Sequence, residues 1–300
     1  MYQFNWGGGE RKVSRDHYIP QFILRGFSVN PKEAKNKQEI YVYSKKTNEV
    51  KRQLIADSFM QVDYNSPETE KYLAQELETK VANIVQKIKA EVNKENKIVD
   101  LEKNKYVLLI RFLVVMWRRN LIQVDRMKEI IDASEYISSI FSAFGTEEIN
   151  IGKLYEENKD IFRQTFFDLA IRRTTKDDET VQKTIKYYKP FIVHNTSNIN
   201  FIMHNTYSTL NYLSNKNDEV TEQDFPIFMI YPISKTMCLC MLLNYKESDL
   251  TQNNYTIPIV TWSDEADIKQ FLIDGYITPT AESFVVDETN HEYLQNLLNN

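Results

Sequence analysis

The chain changes character at Pro190. Before it, apolar residues recur at helical spacing; after it, they come in short runs parted by Asn, Ser and Pro. Upstream, Leu73, Leu77, Val81, Ile84 and Ile88 mark one face of a helix reaching about residue 93. Ser66 and Pro67 suit its N-cap and first helical position. A polar run, 92–100, reads as a loop to a second long helical region that begins near Asp100 and passes through "YVLLIRFLVVMW". A break is expected over 139–152, then a helix over 152–173, a loop at 174–180 and a short helix ending at Pro190. Downstream, "PFIVHNT", "INFIMHNT", "FPIFMIYPIS" and "TMCLCMLLN" read as strands. A helix at "SDEADIKQFLID", a strand at "ESFVV" and a helix at "HEYLQNLL" follow.

Near the start, Pro20 disfavours helix at Ile19 and fits a first turn, which predicts a short helix over 20–27. "EIYVYSKKTNEVKRQLI" then reads as two strands around a turn at Lys45–Asn48. The pattern is α+β: a short helix and β-hairpin, long helices in the middle, and an antiparallel or mixed sheet in the C-terminal third. Residues 1–15 read as a flexible tail and 16–300 as a single domain.

Glycine is scarce, and its placement excludes whole classes. Beyond Gly7, Gly8 and Gly9 only Gly26, Gly145, Gly152 and Gly275 occur, all isolated. No G-x-G-x-x-G, G-x-x-x-x-G-K-[ST] or G-x-S-x-G is present, which argues against a P-loop NTPase, a dinucleotide-binding dehydrogenase and a nucleophile-elbow hydrolase. A net charge of −5 excludes a general polyanion binder but leaves a local basic patch open. Cys238 and Cys240 alternate along one strand, so they should share a face as buried thiols in a reducing compartment. The start of the chain has no apolar signal region, and the 12-residue run at 106–117 is too short for a span of about 20 residues. A soluble cytoplasmic protein without a membrane partner is expected.

The segment "RDHYIPQFILRGF", 15–27, carries the most chemistry. Gln21 and Arg25 stand one helical turn apart, and His17 lies just outside the helix start. Imidazole can act as acid or base, and guanidinium can fork onto phosphate or carboxylate. Arg111 interrupts an apolar run, with Arg118 seven residues later on nearly the same face. A guanidinium buried there must be paired or bind an anion. The sharper reading joins Arg25, Arg111 and Arg118 as an anion clamp, with His17 and Gln21 as catalytic residues. The plainer reading makes His17 a cap and the arginines partners of nearby carboxylates.

His194 and His204 repeat in "HNT". If the two segments formed one hairpin, their imidazoles would lie more than about 10 Å apart, too far to share a metal. With four histidines and no H-E-x-x-H, zinc is disfavoured, while a carboxylate-bound magnesium stays open. "KYYKPF", 186–191, suits either base stacking or an ordinary helix end.

"HYIPQFILRGF" followed by "EIYVYSKKTNEV" resembles the opening of a bacterial family known as domain of unknown function 4238. "RFLVVMWRRN", "NFIMHNTYSTL" and "YPISKTMCLCML" are similar to its later motifs, so the likeness spans 15 to about 290. It points to His17, Tyr18, Pro20, Gln21 and Arg25 as a unit. It also marks His204 and Asn205 as a secondary site, where Asn205 replaces the usual Asp and Tyr207 the usual proline. The resemblance implies a bacterial accessory function, such as phage defence or a toxin-type system. The expected role is an effector acting on a phosphate-bearing ligand, nuclease-like or nucleotide-hydrolysing, with nucleic acid or nucleotide as partner. The alternative is a non-catalytic sensor or protein-interaction module.

Overall fold

Strand β1 (Arg15–His17) runs into α1 (Gln21–Leu24), which tightens to a 3-10 turn at Arg25–Phe27. The structure, a computed structural model, describes residues 15–62, 64–119, 165, 168–207, 209–211, 228–243, 255–272, 281–287, 290 and 294–295. Arg15 thus belongs to the first strand rather than to the tail. Pro20 caps α1 with φ −57° and ψ 136°, the extended conformation that its ring favours. Gly26 is required by close approach: a Cβ there would lie 2.3 Å from the carbonyl oxygen of Ile233.

Strands β2 (Glu39–Ser44) and β3 (Glu49–Leu54) form the expected hairpin, with Asn48 left-handed at φ 53°. A 3-10 turn, Ile55–Asp57, leads to β4 (Met60–Val62), which pairs antiparallel with β1. Ser66 Oγ accepts from the Thr69 N–H at 3.3 Å and starts α2 (Pro67–Tyr72), as its residue type predicts. A π-helical segment, Leu73–Glu78, joins α2 to α3 (Thr79–Asn93).

The stretch expected as a loop before the next helix contains strand β5 (Ile98–Leu101). Helix α4 (Lys103–Arg118) follows. Residues 168–173 are helical, as expected for the end of the 152–173 helix; the rest of it and the break at 139–152 lie outside the described residues. Asp178 caps α5 (Glu179–Tyr187), which passes directly into β6 (Tyr188–Asn195). Then come β7 (Met203–His204), β8 (Thr209–Asn211), β9 (Phe228–Ser234), β10 (Met237–Leu243), β11 (Tyr255–Trp262), α6 (Glu265–Phe271) and β12 (Ser283–Val286). Most of the expected last helix lies outside the described residues, although 294–295 are helical.

The architecture is α+β. Six strands order as β5-β11-β6-β10-β9-β8, four as β3-β2-β12-β7, and β1-β4 stand apart as a pair. Among the described residues only the β11–β6 pairing is parallel, so the larger sheet is mixed. Strand β11 changes partner midway: Tyr255–Pro258 pair with β5 and Ile259–Trp262 with β6.

The two "HNT" segments do not form a hairpin, because β6 belongs to the larger sheet and β7 pairs with β12 in the smaller. The chain between them is drawn elsewhere: Thr196 N–H donates to the Trp262 carbonyl and Phe201 N–H to that of Lys235. The distance argument for His194 and His204 falls with the hairpin.

Both faces of the larger sheet are covered at β10. Leu239 and Met241 of β10 join the core shared with α1, α3 and α4. Cys238 and Cys240 face the opposite way, into a second cluster with Ile268, Leu272 and Phe284. This double burial explains why "MCLCM" is a continuous apolar run. The two thiols are free, buried and share a face, with sulfurs 3.8 Å apart. Among the described residues, no helix is long and apolar enough to cross a membrane.

Candidate functional site

The opening segment is held down along its length, and its side chains divide sharply by task. Ile19, Ile23, Leu24 and Phe27 are fully buried, and Phe22 packs on Phe112 of α4 with ring centroids 5.6 Å apart. Tyr18 lies against Phe59 and Tyr64, and burial pushes its phenol up to about 12. Tyr18 N–H donates to the carbonyl of Phe59, whose left-handed φ of 51° is unusual for a bulky residue. These residues account for the apolar part of the motif as packing.

His17, Gln21 and Arg25 remain, and they form a line. Arg25 Nη2 donates to Gln21 Oε1 at 2.6 Å, and Gln21 Nε2 lies 3.4 Å from His17 Nε2. The same His17 nitrogen lies 3.3 Å from the carbonyl oxygen of Ile55. Burial pulls the His17 imidazole below its usual range, aided by Arg15 and Arg119 and opposed by the carbonyls of Ile55 and Ala56. Arg25 makes no ion pair with a described residue, and its buried Nε has no hydrogen-bond partner. Burial also draws its guanidinium below the usual value. A half-buried arginine held, among the described residues, by an amide alone is unusual, since such groups normally find a carboxylate.

Arg111 and Arg118 share a destination, as their spacing predicts, but it is internal. Arg111 Nε donates to the Thr174 carbonyl at 2.6 Å, Nη2 bonds the Tyr72 hydroxyl, and the guanidinium covers the Tyr72 ring. Arg118 grips Asp178 with both terminal nitrogens, at 3.0 and 3.2 Å, and bonds the Thr174 hydroxyl. Asp178 meanwhile accepts from the first N–H groups of α5. Arg118 therefore ties α4 to a helix cap. None of the described bonds of Arg111 or Arg118 reaches α1.

The arginine that does meet the opening segment is Arg119, which spacing did not single out. It is 2% exposed, and its Nη2 donates to the His17 carbonyl at 2.6 Å. Its Nη1 pairs with Glu78 at 3.0 Å, and its own carbonyl accepts from the Tyr64 hydroxyl. Beside it, buried Asp16 accepts from the Asn65 N–H, and the Asn65 amide bonds Glu70. Burial pushes the carboxyls of Glu70 and Glu78 up, against the pull of Arg119. A sequence signal existed: Arg119 follows Val115 by four and Phe112 by seven, on a buried stripe.

The π segment helps to assemble this group. A π turn closes i to i+5 rather than i to i+4, so it uses one residue more for the same rotation. Two ordinary turns from Glu70 would return to residue 77; the π segment brings Glu78 to that side and leaves Leu77 buried.

His204 and Asn205 sit in a turn of the smaller sheet. His204 is fully buried, with Nδ1 2.5 Å from the Thr206 hydroxyl and its ring edge-on to Phe284. Asn205 Oδ1 accepts from the Glu282 N–H, and its own N–H donates to the Ser283 carbonyl. Tyr207 adopts φ 62°, which proline cannot, so the departure from the familiar motif is accompanied by a different turn. Among the described residues, no three His, Cys, Asp or Glu side chains gather to hold a metal ion.

The model of a family described as a protein of unknown function, DUF4238, matches residues 15–296, nearly the whole chain. The chain belongs to this family. No curated protein and no solved structure matches it.

Proposed function

We infer that the His17–Gln21–Arg25 line is the binding site for a phosphate-bearing ligand in a bacterial cytoplasmic effector, nuclease-like or nucleotide-hydrolysing. Arg25 would take the anion, His17 would move a proton, and Gln21 would orient the imidazole. One observation carries this reading: Arg25 is a half-buried cation whose sole described partner is a neutral amide. The lack of a carboxylate among its described partners is what an anion would complement. Arg111 and Arg118 do not belong to the site, since their donors are committed to Thr174, Tyr72 and Asp178.

The test is binding and cleavage of RNA, DNA and nucleotides, with and without divalent metal. Arg25→Ala should weaken binding at least tenfold, the scale of one charge-assisted hydrogen bond. His17→Ala should retain binding and lose turnover. Equal binding by wild type and Arg25→Ala would overturn the assignment. Binding without turnover in the wild type would favour a non-catalytic sensor. That second reading draws support from the internal commitment of Arg111 and Arg118, which leaves one guanidinium where a clamp would need several.

A further inference from the structure

Resting on that reading, we propose that the anion site is proton-coupled: protonation of His17 turns the Gln21 amide and releases Arg25 to bind an anion. The argument is one of donors and acceptors. Arg25 can only donate, so its 2.6 Å bond fixes Gln21 Oε1 toward it and leaves Gln21 Nε2 facing His17. That contact is a hydrogen bond only if His17 Nε2 carries no proton. The neighbouring Ile55 carbonyl is a partner only if His17 Nε2 does carry one. One ring nitrogen cannot satisfy both, so the two contacts belong to two states.

With neutral His17, the Gln21 amide donates to the ring, and Gln21 Oε1 restrains Arg25. Imidazolium carries protons on both nitrogens, so His17 Nε2 donates to the Ile55 carbonyl and repels the Gln21 NH₂ group. The amide turns its oxygen to the ring, its NH₂ faces Arg25, and Arg25 loses its described partner. The site then gains a charge and an uncommitted guanidinium together. An anion binding there favours the second proton in return, because coupling is reciprocal.

The charged groups around His17 come from three elements. Arg15 on β1 is held by Asp57, and Arg119 at the C-terminal cap of α4 by Glu78, while Arg25 follows α1. Burial, Arg15 and Arg119 oppose imidazolium, and the Ile55 and Ala56 carbonyls favour it. An anion at Arg25 would tip that balance.

Inorganic sulfate is the probe, because its own charge stays constant between about pH 5 and 8, the range in which histidine titrates. Calorimetry on the full chain should show sulfate binding about tenfold tighter at the acid end, within the usual span for coupled sites. Binding near neutrality, in buffers of different ionisation enthalpy, should take up a proton. His17→Asn should flatten the pH dependence. Gln21→Ala should tighten binding at the alkaline end, where wild type restrains Arg25. Measurable binding with the same pH slope in wild type and His17→Asn, or weaker binding by Gln21→Ala at both ends, overturns the coupling while leaving the anion site standing. Absence of sulfate binding at every pH overturns both.

Discussion

Arg118 and Arg25 lie at the ends of helical segments amid apolar residues, and the fold treats them oppositely. Arg118 meets a carboxylate with two nitrogens, adds two threonine hydroxyls, and locks a helix cap. Arg25 meets one amide oxygen and keeps a buried nitrogen unsatisfied. Spacing and hydropathy make the two look alike. The difference lies in what the rest of the chain brings to them, which is why a partner inventory separates a structural cation from a binding cation better than pattern does.

The largest expected effect concerns the third arginine. Arg119→Ala leaves Glu78 and the His17 carbonyl without their partner; breaking such a buried pair costs about 3–5 kcal/mol. Urea unfolding should show it, and a loss below about 1 kcal/mol would remove Arg119 as the anchor of β1. Gly26→Ala comes next. A methyl group pressed on the Ile233 carbonyl costs about 1–3 kcal/mol, read as a lower unfolding midpoint. It should also shift the Arg25 edge while sparing the contacts of Arg118.

The direct comparison is Arg118→Ala against Arg25→Ala. The first should cost about 1.5–3 kcal/mol through lost charged hydrogen bonds, and the second about 0.5 kcal/mol or less. Near-equal melting temperatures would make Arg25 as structural as Arg118. The smallest effect is electrostatic. Glu70 is raised when folded, so the native state binds its proton more readily than the unfolded chain. Its contribution therefore favours folding at acid pH and is lost as pH rises through the folded value. Glu70→Gln should raise Tm at neutral pH by about 1–2 °C, with the gain vanishing below about pH 4. His17, being lowered, works with the opposite sign: folding loses stability as pH falls below its ordinary value of 6.5.

What was legible in the sequence was local. Pro20, the Lys45–Asn48 turn and the Ser66–Pro67 cap each act within a few residues, and each lies where its chemistry places it. The three-residue strands β1 and β4 are too short to show a period, and they exist because they pair with each other across more than 40 residues. Strand β5 hides in a polar run because only Val99 and Leu101 are buried. Strand β11 carries Pro258, a residue that argues against a central strand, and it sits where the strand exchanges partners. The candidate site divides likewise. His17, Gln21 and Arg25 are near neighbours and could be read from spacing. Arg119, Glu78 and Asn65 reach β1 only through the tertiary fold.

The π segment carries a consequence for chain length. Loss of one of its exposed residues, such as Ala74 or Gln75, would leave an ordinary helix with better backbone geometry. The same deletion would leave Glu78 seven residues after Glu70, two ordinary turns away, so the two carboxylates would keep their common side. Asn65, Glu70 and Glu78 would stay gathered at Arg119, and β1 would keep its footing beside them. The helix thus carries a one-residue insertion whose slack the π turn takes up, sparing the contacts on either side of it.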